Sequence, residues 1–500
     1  MKKILGDLFR RIELNRNRLK DSMYLAKDLF DQNDSWPGDF QGRDILALTS
    51  LYKAYEGYDD KQKDVLKQLE DIFALLDQKV NRYGYFGKEF NGEYVNEQQV
   101  SSNSWFIRGL VNYYNITKND KYLKQIKSIV DNFLVPISSF YERYPTQRKK
   151  QDLGGVSGFN DGTVINGWAL STDIGCAFIM LDGISAAYEV YQDEKVKNII
   201  ELMINAFLKI DYLNLECQTH ATLSCTRGII RYSKYNKKYF NYAVRIFDDY
   251  LSKGMTYDYA NINWFNRFTT WTEPCGIIDS MIIARKLYEI TKEEKYLDVF
   301  NRIYTNSLRT FQRINGGAGC STCAIKDNYL MKSYLYEAFF CCTMRLGDGL
   351  CYLTNFSIVN NENNLIVNFP VKLEYEDDNI SFLLDNEFYY NDNRIIINVT
   401  RLIKPIVLKI RLPKDSFIEK YDINGRWLEV NLTEEKEYVF NLKNNINSQN
   451  GILFFGDMLL TKKKEKMEHE LFINKEVYSY VYDNSKFEER ELDEKGQYVK

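Results

Sequence analysis

Along the first 350 residues, apolar positions recur every three or four residues, the spacing of helices that bury one face. The runs come in pairs. Each pair ends an apolar stretch on a tyrosine, turns through polar residues and starts a second apolar run. Leu110-Val111-Asn112-Tyr113-Tyr114 leads through Asn119-Asp120-Lys121 to Tyr122-Leu123. Ala186-Ala187-Tyr188-Glu189-Val190-Tyr191 leads to Asp193-Glu194-Lys195, and Leu287-Tyr288-Glu289-Ile290-Thr291 to Glu294-Lys295-Tyr296-Leu297. With the pairs that begin at Leu51 and Ile229, five helical hairpins are predicted. One hairpin cannot cover its own apolar face, so neighbours must stack. The tyrosines lie roughly 40 to roughly 75 residues apart, which fits no single repeat period. A closed ring tolerates such long loops at one rim, where an open solenoid prefers a constant period. The fold expected for residues 1–350 is therefore an (α/α)6 toroid of helical hairpins.

After about residue 351 the period drops to two. Leu408, Ile410 and Leu412 share one face, Arg394-Ile395-Ile396-Ile397-Asn398-Val399-Thr400 is β-branched, and Asn424-Gly425 reads as a hairpin turn. Short strands with frequent turns predict a β-sandwich over residues 351–461. Residues 462–500 are charged and lack a period, so no fold is assigned to them. The class is α+β and multidomain, a helical toroid followed by a β-sandwich, as 500 residues already imply.

The long loops of the helical half contain Ser35-Trp36-Pro37-Gly38, a glycine-rich run from Gly154 to Gly162, and Asn261-Ile262-Asn263-Trp264-Phe265-Asn266-Arg267. Loops on a rigid scaffold are where function concentrates. Composition adds little. Aromatic residues reach 15%, which suits stacking on sugars, but 38 Tyr and 30 Phe fit a general compositional bias as well. A formal net charge of -3 supplies no field for a phosphate backbone, so nucleic acid is not an expected partner. No apolar stretch approaches the ~18 residues of a membrane span. The segment after Met1-Lys2-Lys3 lacks the apolar core of a secretory signal, and a cytoplasmic location is expected.

Cysteine usage changes the picture. There are nine, none beyond Cys351. An odd number in a reducing compartment points to metal or catalysis before cross-links. Glu273 and Cys275 stand in Trp271-Thr272-Glu273-Pro274-Cys275, and Cys341-Cys342 follow Ala338-Phe339-Phe340. Three thiolates and a carboxylate make a tetrahedral zinc set. Vicinal cysteines are uncommon in structural zinc sites. Binding one metal strains the pair and leaves one sulfur loosely held, free to react. A second reading stays open: Cys320-x-x-Cys323 has metal-ligand spacing, and with Cys341 and Cys342 it makes an all-cysteine structural zinc. Cys176, Cys217, Cys225 and Cys351 read as ordinary buried residues.

Glu-x-Cys followed by Cys-Cys, in a helical barrel with β strands behind it, resembles the β-L-arabinofuranosidases of glycoside hydrolase family 127. The resemblance covers most of residues 20–460 and is sharpest at 255–276 and 335–352. The family's usual Cys-Cys-Pro-Pro reads Cys341-Cys342-Thr343-Met344 here, the mark of a distant member. The resemblance implies zinc on Glu273, Cys275, Cys341 and Cys342, and Cys341 as the nucleophile of a retaining hydrolysis. The substrate it implies is a small saccharide, a furanoside such as a β-L-arabinofuranoside. It also implies a glutamate acid/base some one and a half dozen residues before Glu-x-Cys. The acidic residue near that spacing is Asp258, 15 positions before Glu273, equally readable as a loop-capping residue. His220 resembles the family's sugar-binding histidines and fits a hydrogen-bonded structural histidine nearly as well. Trp264 and Trp271 are candidate sugar contacts. Two other functions remain open. One is a different sugar-active enzyme on the same toroid, an epimerase or unsaturated-uronide hydrolase. The other is a non-catalytic carbohydrate-binding protein with a structural zinc. An epimerase needs a pair of histidines, and the chain has two in all, with His469 in the charged tail. Oligomeric state is left open.

Overall fold

The computed structural model describes residues 1–31, 35–148, 157–160, 162–267, 270–323, 334–361, 364–389, 392–419, 421, 423–449, 452–459, 471–474 and 477–482. Its helices are of two kinds. Asp39–Ala54, Glu97–Thr117, Met180–Val190, Thr219–Ser233, Pro274–Thr291 and Cys342–Ser357 are buried along most of their length. The others keep one wet face: Phe240–Lys253 buries only Ala243, Ile246, Phe247 and Tyr250. A helix enclosed all round must lie inside a shell of other helices. The six enclosed helices pack side by side in chain order, and the last packs back onto the first. Asp59–Leu76, Asp120–Ile129, Glu194–Phe207, Phe240–Lys253 and Glu294–Arg302 return along the outside, and Gly6–Arg18 backs the last inner helix.

The polar turns between inner and outer helices act as caps. Asn119 accepts from Lys121 N and Asp193 from Lys195 N, each satisfying an amide at a helix start. The inner helices approach closely where glycine removes the side chain. A Cβ at Gly42 would lie 2.5 Å from Phe106 N on the next helix, and one at Gly228 would lie 2.4 Å from the Leu181 carbonyl carbon.

β sheets follow the helices. One sheet runs in the order Lys2–Leu5, Lys372–Glu376, Ile380–Asp385, Arg394–Leu402, Glu437–Asn444, Ser416–Ile418. A second runs Trp427–Leu432, Ile406–Arg411, Asn364–Val367, Ile358–Asn361. Alternation decides what they bury: Ile380, Phe382 and Leu384 point into the core from one strand, Leu428, Val430 and Leu432 from another. These residues share one continuous core with the helices. The turn at Gly425 forms, with Asn424 and Trp427 bonded across it. Trp427–Leu432 nevertheless pairs with Ile406–Arg411, not with the run before the turn.

The boundary expected between residues 350 and 351 falls inside a helix that continues to Ser357. The chain's first strand, Lys2–Leu5, lies in the larger sheet, antiparallel to Lys372–Glu376. In the tail left without a fold, Leu471–Asn474 and Val477–Tyr482 form an antiparallel pair. No helix among the described residues is long and apolar enough to cross a membrane.

Candidate functional site

The N-terminal ends of the inner helices meet at one rim, and nearly every candidate residue sits there. Asp39 and Arg43 are in the first turns of the first inner helix, and Asp173 just precedes the third. Gln218 and His220 open the fourth, Glu273 and Cys275 the fifth, Cys341 and Cys342 the sixth. Helix N-termini carry partial positive charge, which favours carboxylates and thiolates at that end.

One carboxylate oxygen of Glu273 and the sulfurs of Cys275, Cys341 and Cys342 all lie within 4.8 Å of one another. Cys275 Sγ is 3.2 Å from Cys342 Sγ, and Cys341 Sγ is 3.4 Å from Cys342 Sγ. A tetrahedral zinc with bonds of about 2.3 Å to sulfur needs sulfurs about 3.8 Å apart, so this donor set fits such an ion after small adjustments. Its shape has local causes. Pro274 occupies the first turn of the fifth helix, where a missing N–H costs nothing, and it follows Glu273 directly. Glu273 N donates to Asn261 Oδ1 at 3.0 Å. Gln218 Nε2 donates to Glu273 Oε2 at 3.3 Å, and the Asn263 amide, with its nitrogen toward Glu273, donates at 2.6 Å while accepting from Trp271 Nε1 at 3.3 Å.

Burial, with repulsion from Cys275 and Asp173, pushes the Glu273 carboxyl well above the usual range. Burial also raises the Cys275 thiol, but hydrogen bonds from Cys341 and Cys342, with His220 and Arg43, outweigh it and hold it well below its ordinary value. The hydrogen bond given to Cys275 pushes Cys341 up, and burial pushes Cys342 up. Arg43 adjoins the cluster, with Nη1 3.5 Å from Cys275 Sγ, and Asp39 holds its Nε at 2.6 Å.

His220 is 2% exposed. Its Nδ1 lies 2.7 Å from Asp279 Oδ2, and the ring stacks on Trp105 with centroids 5.7 Å apart. Arg43 and Arg345 lie over the same indole, at 4.4 and 4.6 Å. Asp279 belongs to a buried belt one turn inward. Arg227 and Arg345 reach it at 2.5 and 2.6 Å, and Arg108, Asp182, Arg231 and Asp348 complete the belt.

The spacing-based sites fare unequally. Glu273, Cys275, Cys341 and Cys342 come together, with His220 alongside. Cys320 stays outside this set but near it, within hydrogen-bonding reach of Cys342. Cys323 points its thiol at Asn261 O, 3.8 Å away. Asp258 is 1% exposed, with Thr256 Oγ1 2.5 Å from its carboxylate and Ser307 donating to its carbonyl. Trp264 is enclosed at 1% exposure, edge-on to the half-buried Trp271. His469 lies outside the described residues. Arg43, Asp39, Asp173, Gln218, Asn263 and Trp105 were missed. The usable signal was polar residues at the start of a helix whose remaining positions are apolar.

No family model and no curated protein matches the chain. Solved structures do. A family 127 β-L-arabinofuranosidase from Geobacillus stearothermophilus T6 is 13% identical, with a TM-score of 0.61 over 92% of this chain and 86% of that one. A second β-arabinofuranosidase of that family is 13% identical, with a TM-score of 0.62 over 92% and 83%. A further glycoside hydrolase is 10% identical, with a TM-score of 0.63 over 92% and 81%. This chain therefore has the fold of the family 127 glycoside hydrolases, at the sequence distance of a remote relative.

Proposed function

We propose that the protein is a retaining glycoside hydrolase with a zinc-bound cysteine nucleophile, acting on a furanoside such as a β-L-arabinofuranoside. The cyclic packing of six inner helices, with two sheets behind them, supports reading the architecture as an (α/α)6 toroid with a β-sandwich. The observation that carries the functional reading is the exposure of the three clustered thiols. Cys275 and Cys342 are 0% exposed, whereas Cys341, at the lip of the sixth helix, keeps solvent access.

Glu273, Cys275, Cys341 and Cys342 would hold the ion, which when bound supplies the charge that keeps the thiols deprotonated at neutral pH. The rest is the work of this chain's own groups. Cys341 sulfur attacks the anomeric carbon, the bond to the leaving oxygen breaks, and a carboxylic acid protonates that oxygen. Water then displaces the sulfur, and two inversions retain configuration. Spacing from Glu273 makes Asp258 the sequence's candidate for that acid. Trp271, half-buried beside the cluster, and His220, under the rim, are the candidate sugar contacts.

The test uses Cys341→Ser and Cys342→Ser, each assayed for bound zinc and for hydrolysis of activated aryl furanosides. Cys341→Ser is expected to abolish turnover while keeping part of the metal, and Cys342→Ser to lose metal first and activity with it. Near-normal turnover by Cys341→Ser refutes the mechanism.

A further inference from the structure

Several carboxyl groups stand at the rim or one turn beneath it, and most have a fixed partner. Glu273 belongs to the thiol cluster. Asp39 pairs with Arg43 at 2.6 Å, Glu97 with Arg148 at 3.0 Å, and Asp279 with Arg227 and Arg345. Asp258 sits at a loop tip whose next residue, Tyr259, packs on Phe454 and Arg302, toward the outer helices and the β strands.

Asp173 differs from all of these. It is 5% exposed and takes a hydrogen bond from Ser157 Oγ at 2.8 Å and one from the Gly158 amide, with no cation paired to it among the described residues. It also flanks the cluster. The carbonyl of the next residue, Ile174, accepts from Gln218 N at 3.1 Å, and the Gln218 side chain donates to Glu273 at 3.3 Å. Burial, opposed by Ser157, Gly158 and His220 and aided by Glu97, pushes the Asp173 carboxyl up to about 6. Glu273 feels it across the rim. A buried carboxyl that changes charge near neutrality, on the Glu273 side of the thiol cluster and with no paired cation among the described residues, is suited to give and retake a proton.

We propose that Asp173 is the acid/base of this site, an assignment that rests on the hydrolase reading above. In the first step the Cys341 sulfur bonds to the anomeric carbon, the carbon–oxygen bond breaks, and the leaving oxygen takes the Asp173 proton. In the second, water bonds to the same carbon and gives a proton to the Asp173 carboxylate, while the carbon–sulfur bond breaks and its electron pair returns to Cys341.

The experiment compares zinc-loaded wild type, Asp173→Asn, Asp258→Asn and Ser157→Ala on a series of furanosides, from dinitrophenyl, which departs without a proton, to alkyl. Zinc content and melting temperature are measured for each. Asp173→Asn should lose about 100- to 10,000-fold in kcat/KM on the alkyl substrate and far less on dinitrophenyl, and its alkaline limb should vanish. Ser157→Ala, which removes a hydrogen bond from the charged form but leaves the carboxyl in place, should move that limb to higher pH. Normal turnover of the alkyl substrate by Asp173→Asn overturns the assignment, as does an equal loss on every leaving group. The same leaving-group dependence in Asp258→Asn instead also overturns it. A wild type that hydrolyses no furanoside overturns the hydrolase reading, and this assignment with it.

Discussion

Asp44 is 0% exposed, and neither of its carboxylate oxygens meets a donor among the described residues. Burial holds its carboxyl well above the usual range, against the pull of Arg16. A raised folded-state value favours the native chain below the ordinary carboxylate pKa of about 4. That stability is lost as pH rises toward the folded-state value. Asp44→Leu, close in shape, is expected to add about 1–3 kcal/mol near pH 7 and to remove this part of the pH dependence. Urea unfolding at pH 5 and pH 8 measures both. Asp182 and Asp279 have the opposite sign. Burial would raise them, but Arg108 and Arg227 for Asp182, and Arg345 and Arg227 for Asp279, hold both far below the ordinary range. Their contribution is complete at neutral pH and fades as acid protonates them. Among the sulfurs, exposure decides reactivity. Iodoacetamide is expected to reach Cys341 before Cys275 or Cys342 in the native protein, and peptide mapping that finds either enclosed thiol modified first contradicts this.

Helix starts and turns were the readable elements. The tyrosine-to-polar-turn pattern marked the hairpins because a cap must be a short polar side chain beside the apolar run it ends, and Asn119 and Asp193 are such caps. Asp193→Ala is expected to cost about 1 kcal/mol. Gly228→Ala would press a methyl group into the Leu181 backbone, which cannot rotate away as a side chain can. A loss of about 2 kcal/mol or more is expected, against about 1 kcal/mol for Gly425→Ala, where nothing lies within 4 Å and only the left-handed φ of 63° strains the new side chain. Chemical denaturation of the three variants separates these costs. The grouping of Glu273, Cys275, Cys341 and Cys342 was readable because Glu-x-Cys and a vicinal Cys-Cys are distinctive local spacings. The groups around it were not. His220 and Asp279 are 59 positions apart, and Arg43 and Cys275 are 232 apart. Pairs like these exist only once the ring closes, and no local pattern records that closure.

At the scale of the molecule, the first residues are stitched into the β half. Lys2–Leu5 joins the larger sheet, and Asp7 N donates to Glu387 at 2.9 Å. Deleting residues 1–5 would expose the edge of Lys372–Glu376 and is expected to lower the melting temperature. Because one core runs through helices and sheets, calorimetry should show a single transition moving down, not a second one splitting off. The belt of interlocked charges has a different consequence. Arg108, Asp182, Arg227, Asp279, Arg345 and Asp348 are all at most 5% exposed and bridge five of the six inner helices. Among the described residues they fill the space between these helices beneath the rim, which makes the rim a cul-de-sac. A polymer cannot be threaded through it, and whatever is cut must back out by the way it came. On the hydrolase reading proposed above, such a site would act at chain ends, and its product would compete with the next substrate for the same doorway.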